Sequence, residues 1–185
     1  MMRVIAGTAR SLPLKAPEGM GTRPTTDRIK ETLFNILQNN VPGSVFVDLY
    51  SGSGAIGIEA ISRGAKKAYF IENGAAPLQC IHQNLAFTKF TDRAIVIKQD
   101  AVAALSQIHE KRVDIIFMDA PYGQGEDERV LRALAAMPFV DEDTLILVEE
   151  DKHRDFAFAA SLGFEISREK TYKTNKHVFL HKSNA

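Results

Sequence analysis

A single cysteine, Cys80, stands in 185 residues, so neither an internal disulfide nor a multi-cysteine zinc site is available, and a reducing compartment suits the chain. No apolar run approaches the roughly 18 residues of a membrane span. The opening Met1-Met2-Arg3-Val4-Ile5-Ala6-Gly7 has too short an apolar stretch for a signal peptide. A cytoplasmic protein without membrane partners is expected. The histidines His82, His109, His153, His177 and His181 show no ligand spacing, so no metal is expected. There is also no internal repeat, low-complexity tract or flexible linker. Formal net charge is zero, which argues against a surface that grips nucleic acid everywhere.

What is present is 45% hydrophobic and 25% charged, the composition of a folded domain. Charge is unevenly placed. Arg3, Arg10, Lys15, Arg23, Arg28 and Lys30 outnumber the acids before Asn40. Lys152, Arg154, Arg168, Lys170, Lys173, Lys176 and Lys182 do the same at the other end, and the stretch from Asp119 to Asp151 is acidic. The basic ends are either solvated faces or surfaces for a polyanion.

Apolar strand-like runs alternate with helical patterns, the mark of a parallel sheet covered by helices. Strands are predicted at 45–50, 67–71, 94–98, 113–118 and 144–149, with helices near 55–63, 77–87, 102–110, 128–137 and 154–161. Residues 164–172 and 177–181, joined by the polar turn 173–176, read as an antiparallel hairpin closing one edge. Ahead of the first repeat, 3–6 and 12–15 form a candidate small hairpin. A helix follows, capped by Thr25, Thr26 or Asp27 and striped with Ile29, Leu33, Ile36 and Leu37. The expected organisation is an N-terminal extension, residues 1–42, docked on a main α/β domain, residues 43–185.

The first strand runs into Val47-Asp48-Leu49-Tyr50-Ser51-Gly52-Ser53-Gly54-Ala55-Ile56-Gly57. Glycines here allow a sharp strand-to-helix turn and close approach of a ligand. Gly52, Gly54 and Gly57 satisfy the dinucleotide pattern literally, which leaves a nicotinamide or flavin enzyme open. Asp48 tips the balance: a carboxylate at the strand end binds the ammonium of a methionyl group and repels a pyrophosphate. The second strand ends in Glu72, placed to accept from ribose hydroxyls. The third ends in Asp100-Ala101, where Asp100 is either an adenine acceptor or an N-cap, two compatible roles. Asp48, Tyr50, Gly52, Gly54, Glu72, Asp100 and Ala101 are therefore the candidate cofactor-binding residues, with S-adenosylmethionine the expected cofactor.

The fourth strand runs into Asp119-Ala120-Pro121-Tyr122, which resembles the Asp/Asn-Pro-Pro-Tyr/Phe motif of amino-group nucleic-acid methyltransferases. An exocyclic amine on a base is a poor nucleophile because its lone pair is delocalised into the ring. Asp119 and the Ala120 carbonyl can accept its two N–H bonds and aim the lone pair at a methyl group. Tyr122 can stack on the extruded base. These four residues are the candidate catalytic set.

Nearly the whole chain resembles the bacterial guanine-N2 methyltransferases of small-subunit ribosomal RNA. The resemblance rests on Met2-Arg3-Val4-Ile5-Ala6-Gly7, on the block from Thr22 to Leu37 (TRPTTDRIKETLFNIL), on Asp48 to Ala60 and on Ser62 to Ala65. It implies a Rossmann-like class I S-adenosylmethionine-dependent methyltransferase fold with a seven-stranded, mostly parallel sheet. It also implies N2-methylguanine in 16S ribosomal RNA as product and an assembling 30S particle as partner. Arg23, Thr25 and Arg28 are candidates for closing the site or touching RNA, and a monomer is expected. One departure is Ala120, where that family usually has a first proline: the carbonyl is kept and rigidity is lost. The open alternatives are an amino methyltransferase of DNA adenine or cytosine, a nicotinamide-dependent oxidoreductase, and a catalytically idle RNA-binding relative.

Overall fold

The computed structural model describes residues 1–19 and 26–184. In chain order the elements are α1 (Asp27–Ile36), β1 (Val45–Asp48), α2 (Ala55–Ser62), β2 (Lys67–Glu72), α3 (Ala75–Thr88), β3 (Ala94–Lys98), α4 (Ala101–Ala104), β4 (Ile115–Met118), α5 (Glu126–Ala135), β5 (Leu145–Asp151), α6 (Phe158–Ser161), β6 (Phe164–Thr171) and β7 (Asn175–Lys182). The strands form one seven-stranded sheet in the order β3-β2-β1-β4-β5-β7-β6. The first five run parallel, and β7 pairs antiparallel with both β5 and β6.

The central strands are buried along their whole length because both faces are covered, so they read as continuous apolar runs rather than alternating ones. Val45 and Val47 of β1 join the core on one face with Ile116, Ile146 and Val178. Phe46 joins the core on the other with Phe70, Phe117, Leu147 and Phe179. On that second face α2 lies so close to β2 that a Cβ at Gly57 would stand 2.4 Å from the Phe70 ring.

The N-terminal segment packs into this second core through Val4, Leu14, Leu33 and Phe34. Its hairpin is slighter than expected: a single antiparallel bridge joins Arg3 and Pro13, helped by Val4 N–H donating to the Leu12 carbonyl. Wholly buried Glu59 of α2 anchors the segment. Its carboxylate accepts the N–H groups of Ile5 and Ala6 at 2.9 and 3.1 Å, and it pairs with Lys30 of α1 and with Arg63. Thus Lys30, counted above among the basic residues of the N-terminal end, is only 2% exposed and faces no polyanion. Arg3 likewise pairs with Asp27.

Other departures have local causes. The helix expected over 102–110 stops at Ala104 and continues as a 3-10 turn, Leu105–Gln107. Glu110 is held instead by Lys67 and Tyr69 of β2, at 2.6 and 2.8 Å. The helix expected over 154–161 is reduced to Phe158–Ser161. Arg154 is drawn to buried Asp127 and lies over the Phe158 ring, while the Asp155 side chain caps the Ala157 N–H. The hairpin turn is shorter than expected, because Asn175 and Lys176 already belong to β7.

Candidate active site

Strand order reverses between β1 and β4, and ligands of open α/β sheets bind beyond the carboxyl ends of the strands at such a point. Asp48 is the last residue of β1 and pairs in register with Phe117, so Asp119 lies only two residues beyond the level of Asp48 on the adjacent strand. Met118 pairs with Val148, which brings Asp119 alongside Glu149 of β5. The sheet thus delivers the expected tetrapeptide next to the expected glycine turn.

That turn is built by Gly52 and Gly54, with φ of 54° and 84°, the second being the N-cap of α2. A side chain would be strained at both. Glu72, at the end of β2, accepts the Gly52 N–H at 2.9 Å with one oxygen and the Asn73 and Gly74 N–H groups at 2.8 Å with the other. A cavity of about 100 Å³ lies here, lined by Tyr50, Glu72, Gln99, Asp100 and Ala101 among others.

Asp48 is buried and, among the described residues, accepts one long hydrogen bond, from Tyr50 N–H at 3.3 Å. Burial pushes its carboxyl up to about 8, opposed by that bond and helped by Glu72. A poorly solvated acid at a glycine turn suits a cationic ligand, so the residues present fit a sulfonium donor carrying an ammonium group. Asp119 is also pushed well above the usual carboxylate range, by burial first and then by Glu149, Asp48 and Glu150. Tyr122 is half exposed, its hydroxyl donating to Glu149 at 3.3 Å; burial, Glu149 and Asp119 raise it further. Ala120 is buried between them.

Asp100 is more heavily engaged than a free adenine acceptor. One oxygen caps α4 by accepting from Val102 and Ala103 N–H groups, and both oxygens receive Arg129 of α5. Arg129 also binds Glu126, which accepts the Tyr50 hydroxyl at 2.7 Å. A polar chain Tyr50–Glu126–Arg129–Asp100 therefore links two residues of the cavity lining. Arg28 is exposed on α1, forms no side-chain hydrogen bond among the described residues, and does not line the cavity. Arg23 and Thr25 lie outside the described residues.

Sequence reasoning missed Glu149, Asn175, His177, Glu126 and Arg129. Glu149 was within reach of the same rule that selected Asp48, Glu72 and Asp119, namely an acid at a parallel strand's carboxyl end. His177 shows no spacing that would assign it to a metal or a base, and nothing local marks it as a partner of Glu149. No group of three or more His, Cys, Asp or Glu residues that could hold a metal occurs among the described residues. No helix among them is long and apolar enough to cross a membrane.

The family model described as Conserved hypothetical protein 95 matches residues 2–181. The chain belongs to this family. Relatives include the proteins named Ribosomal RNA small subunit methyltransferase D of Escherichia coli strain K12, 37% identical over 150 residues (81% of this chain, 75% of the relative), and of Haemophilus influenzae, 35% identical over 155 residues (83% and 80%). A solved Escherichia coli structure provisionally assigned as the methyltransferase yhhF superposes with a TM-score of 0.83 at 31% identity, covering 100% of this chain and 99% of that one. A Haemophilus influenzae structure provisionally assigned as a methylase gives 0.82 at 29% identity, with 99% of each chain covered. The α/β sheet is thus the Rossmann-like fold of class I methyltransferases, as the sequence resemblance implied.

Proposed function

We propose that this chain transfers a methyl group from S-adenosylmethionine to the exocyclic N2 amine of a guanine in 16S ribosomal RNA. The observation that carries the reading is the adjacency of Asp48 and Asp119 at the ends of neighbouring parallel strands, one beside the glycine turn and the other opening Asp-Ala-Pro-Tyr. The ribosomal substrate is supported by the names of the relatives and by the N-terminal block.

S-adenosylmethionine supplies an electrophilic methyl carbon on a positively charged sulfur. Asp48 holds the ammonium end by charge, and the backbone at Gly52 and Gly54 leaves room for close approach. Glu72 receives a ribose hydroxyl on the one lone pair of Oε2 not used by Gly52, the other oxygen being taken by Asn73 and Gly74. Asp100 and Ala101 edge the adenine pocket, the Asp100 carboxylate being shared with Arg129. Tyr50, braced by Glu126, closes one wall.

Asp119 and the Ala120 carbonyl take the two N–H bonds of the target amine and turn its lone pair toward the methyl group, an effect of position and fixed dipoles. Pro121 restricts Ala120 to extended backbone, which restores part of the stiffness of a double proline. As the new bond forms, the nitrogen becomes acidic and its proton passes toward Asp119, whose raised affinity for a proton suits the role. Tyr122 stacks on the extruded guanine. Arg28, with Arg23 and Thr25, contacts RNA or closes the site. Residues 1–42 act as an appendage of the 43–185 domain, the chain works as a monomer in the cytoplasm, and the substrate is the RNA within an assembling 30S particle.

The decisive experiment is labelled-methyl transfer to ribosomal RNA and small subunits from cells lacking the protein, with DNA as a parallel substrate and nucleoside analysis of the product. N2-methylguanosine from RNA and none from DNA is expected. Methylated adenine or cytosine in DNA, or no incorporation anywhere, would sink the assignment.

A further inference from the structure

The acid at the end of β5 sits in a network that the methyl-transfer reading leaves unused. Glu149 is buried, and both of its oxygens are engaged. Oε1 accepts Asn175 Nδ2–H at 2.9 Å and the Tyr122 hydroxyl at 3.3 Å, while Oε2 meets His177 Nε2 at 2.8 Å. His177 is fully buried, and its other ring nitrogen lies 3.3 Å from the Tyr172 hydroxyl, with the two rings edge to face at 5.0 Å. One proton arrangement satisfies the whole chain: Tyr172 O–H donates to Nδ1, and Nε2–H and the Tyr122 hydroxyl both donate to Glu149.

These partners come from one piece of chain. Asn175 and His177 are alternate residues of β7, and β7 pairs Glu149 directly with His177. The hairpin turn is itself closed by Tyr172 N–H donating to the Asn175 carbonyl at 2.8 Å. Glu149 therefore cannot rotate without breaking the two bonds that tie it to the hairpin. Tyr122, in contrast, is 42% exposed and follows a loop-forming Pro121, so its hydroxyl bond to Glu149 is what restrains a ring otherwise free to swing into solvent.

We propose that Glu149, locked between Asn175 and His177, is a positioning residue that holds the Tyr122 ring in one orientation beside Asp119, making the C-terminal hairpin part of the substrate-base site. The inference rests on the reading that Tyr122 stacks on the base whose amine is methylated. A tethered aromatic ring offers the base a preformed platform, so its loss shows as poorer use of RNA rather than of the methyl donor.

The test is a double-mutant cycle with Tyr122→Phe, which keeps the ring and deletes the tether, and Glu149→Ala, which deletes its acceptor, read as kcat and KM for RNA alongside calorimetric donor affinity. Each single variant is expected to lower kcat/KM for RNA on the order of tenfold, and the double variant to lose no more than the worse single one, since both remove the same contact. Donor affinity should stay at the wild-type value. Some loss of thermal stability is common to both readings, but a merely structural Glu149 would give losses that multiply, and that result, or a fully active Tyr122→Phe, would overturn the proposal. Should Glu149→Ala not fold, Asn175→Ala takes its place in the cycle.

A second measurement needs no turnover. The chain has four tyrosines, so fluorotyrosine labelling gives a resolvable fluorine spectrum in which Tyr122→Phe identifies one resonance. That resonance should shift and sharpen in Glu149→Ala, and indifference to the substitution would again overturn the tether. A product other than N2-methylguanosine defeats the guanine assignment alone, because coupling between Tyr122 and Glu149 is read on whichever amine is methylated.

Discussion

Asp48 and Asp119 leave adjacent parallel strands at nearly the same level, and Asp48 helps to raise the proton affinity of Asp119. Two acids crowded in a buried crevice are poorly stable when both are charged, unless a cation lies between them.

The burial of Asp48 makes donor affinity depend on pH. Asp48 titrates near 8 in the unliganded protein, far above the roughly 4 of an unfolded chain. Below about pH 8 it holds a proton that a cationic ligand must expel, so calorimetric affinity for S-adenosylmethionine should strengthen with rising pH, by up to about tenfold per unit for this one group. Asp48→Asn should bind weakly and lose this component of the pH dependence. The stability sign is opposite: the raised value contributes stability below about pH 4 and loses it as pH climbs to about 8. Unliganded Asp48→Asn should therefore melt above the wild type at pH 8, by a margin that shrinks toward pH 5. Equal pH slopes for wild type and variant would refute the assignment of Asp48.

At Asp119, geometry matters more than charge. Asp119→Asn keeps a carbonyl oxygen in place and should retain turnover reduced by about 10- to 100-fold, whereas Asp119→Ala should lose at least a further tenfold. Donor affinity should change little in either. Asp119→Ala with near wild-type turnover would remove this residue from the reaction.

Arg129 offers a weaker lever. Its pairs with Asp100 and Glu126 are largely exposed, and such pairs contribute little to stability. Arg129→Ala should leave the melting temperature nearly unchanged and weaken donor binding by no more than about fivefold, the range of one exposed ion pair. A much larger loss of affinity would mean that Arg129 touches the ligand directly.

Glu59 predicts the reverse pattern. It is wholly buried, takes the Ile5 and Ala6 N–H groups and pairs with Lys30 and Arg63, so Glu59→Ala strands a buried ammonium and two amides. Denaturant unfolding should show a loss of about 3–5 kcal/mol, the usual consequence of removing one partner of a buried pair. A change below 1 kcal/mol, as for an ordinary surface site, would show that the N-terminal segment is not anchored there.

Much of the fold was legible from the chain alone because strand and helix periods, turn residues and caps act over a few positions. The runs at 45–48, 67–72, 94–98 and 115–118 emerged as strands, and the acids ending them, Asp48, Glu72, Asp100 and Asp119, could be read as one site because parallel strands deliver their carboxyl ends to one edge of a sheet. Local pattern failed where a distant partner outbid it. Lys67 and Tyr69 hold Glu110 away from a helix, and Asp127 draws Arg154 out of another. No spacing rule links Glu149 to His177, 28 positions later, or Tyr50 to Glu126, because those contacts exist only after β7 has docked on β5 and α5 has brought Glu126 to the end of β1. Chemistry carried at strand ends is thus written along the chain. The charge state of buried acids and the orientation of Tyr122 depend on solvent exclusion and on partners far away in sequence, and only three-dimensional packing decides them.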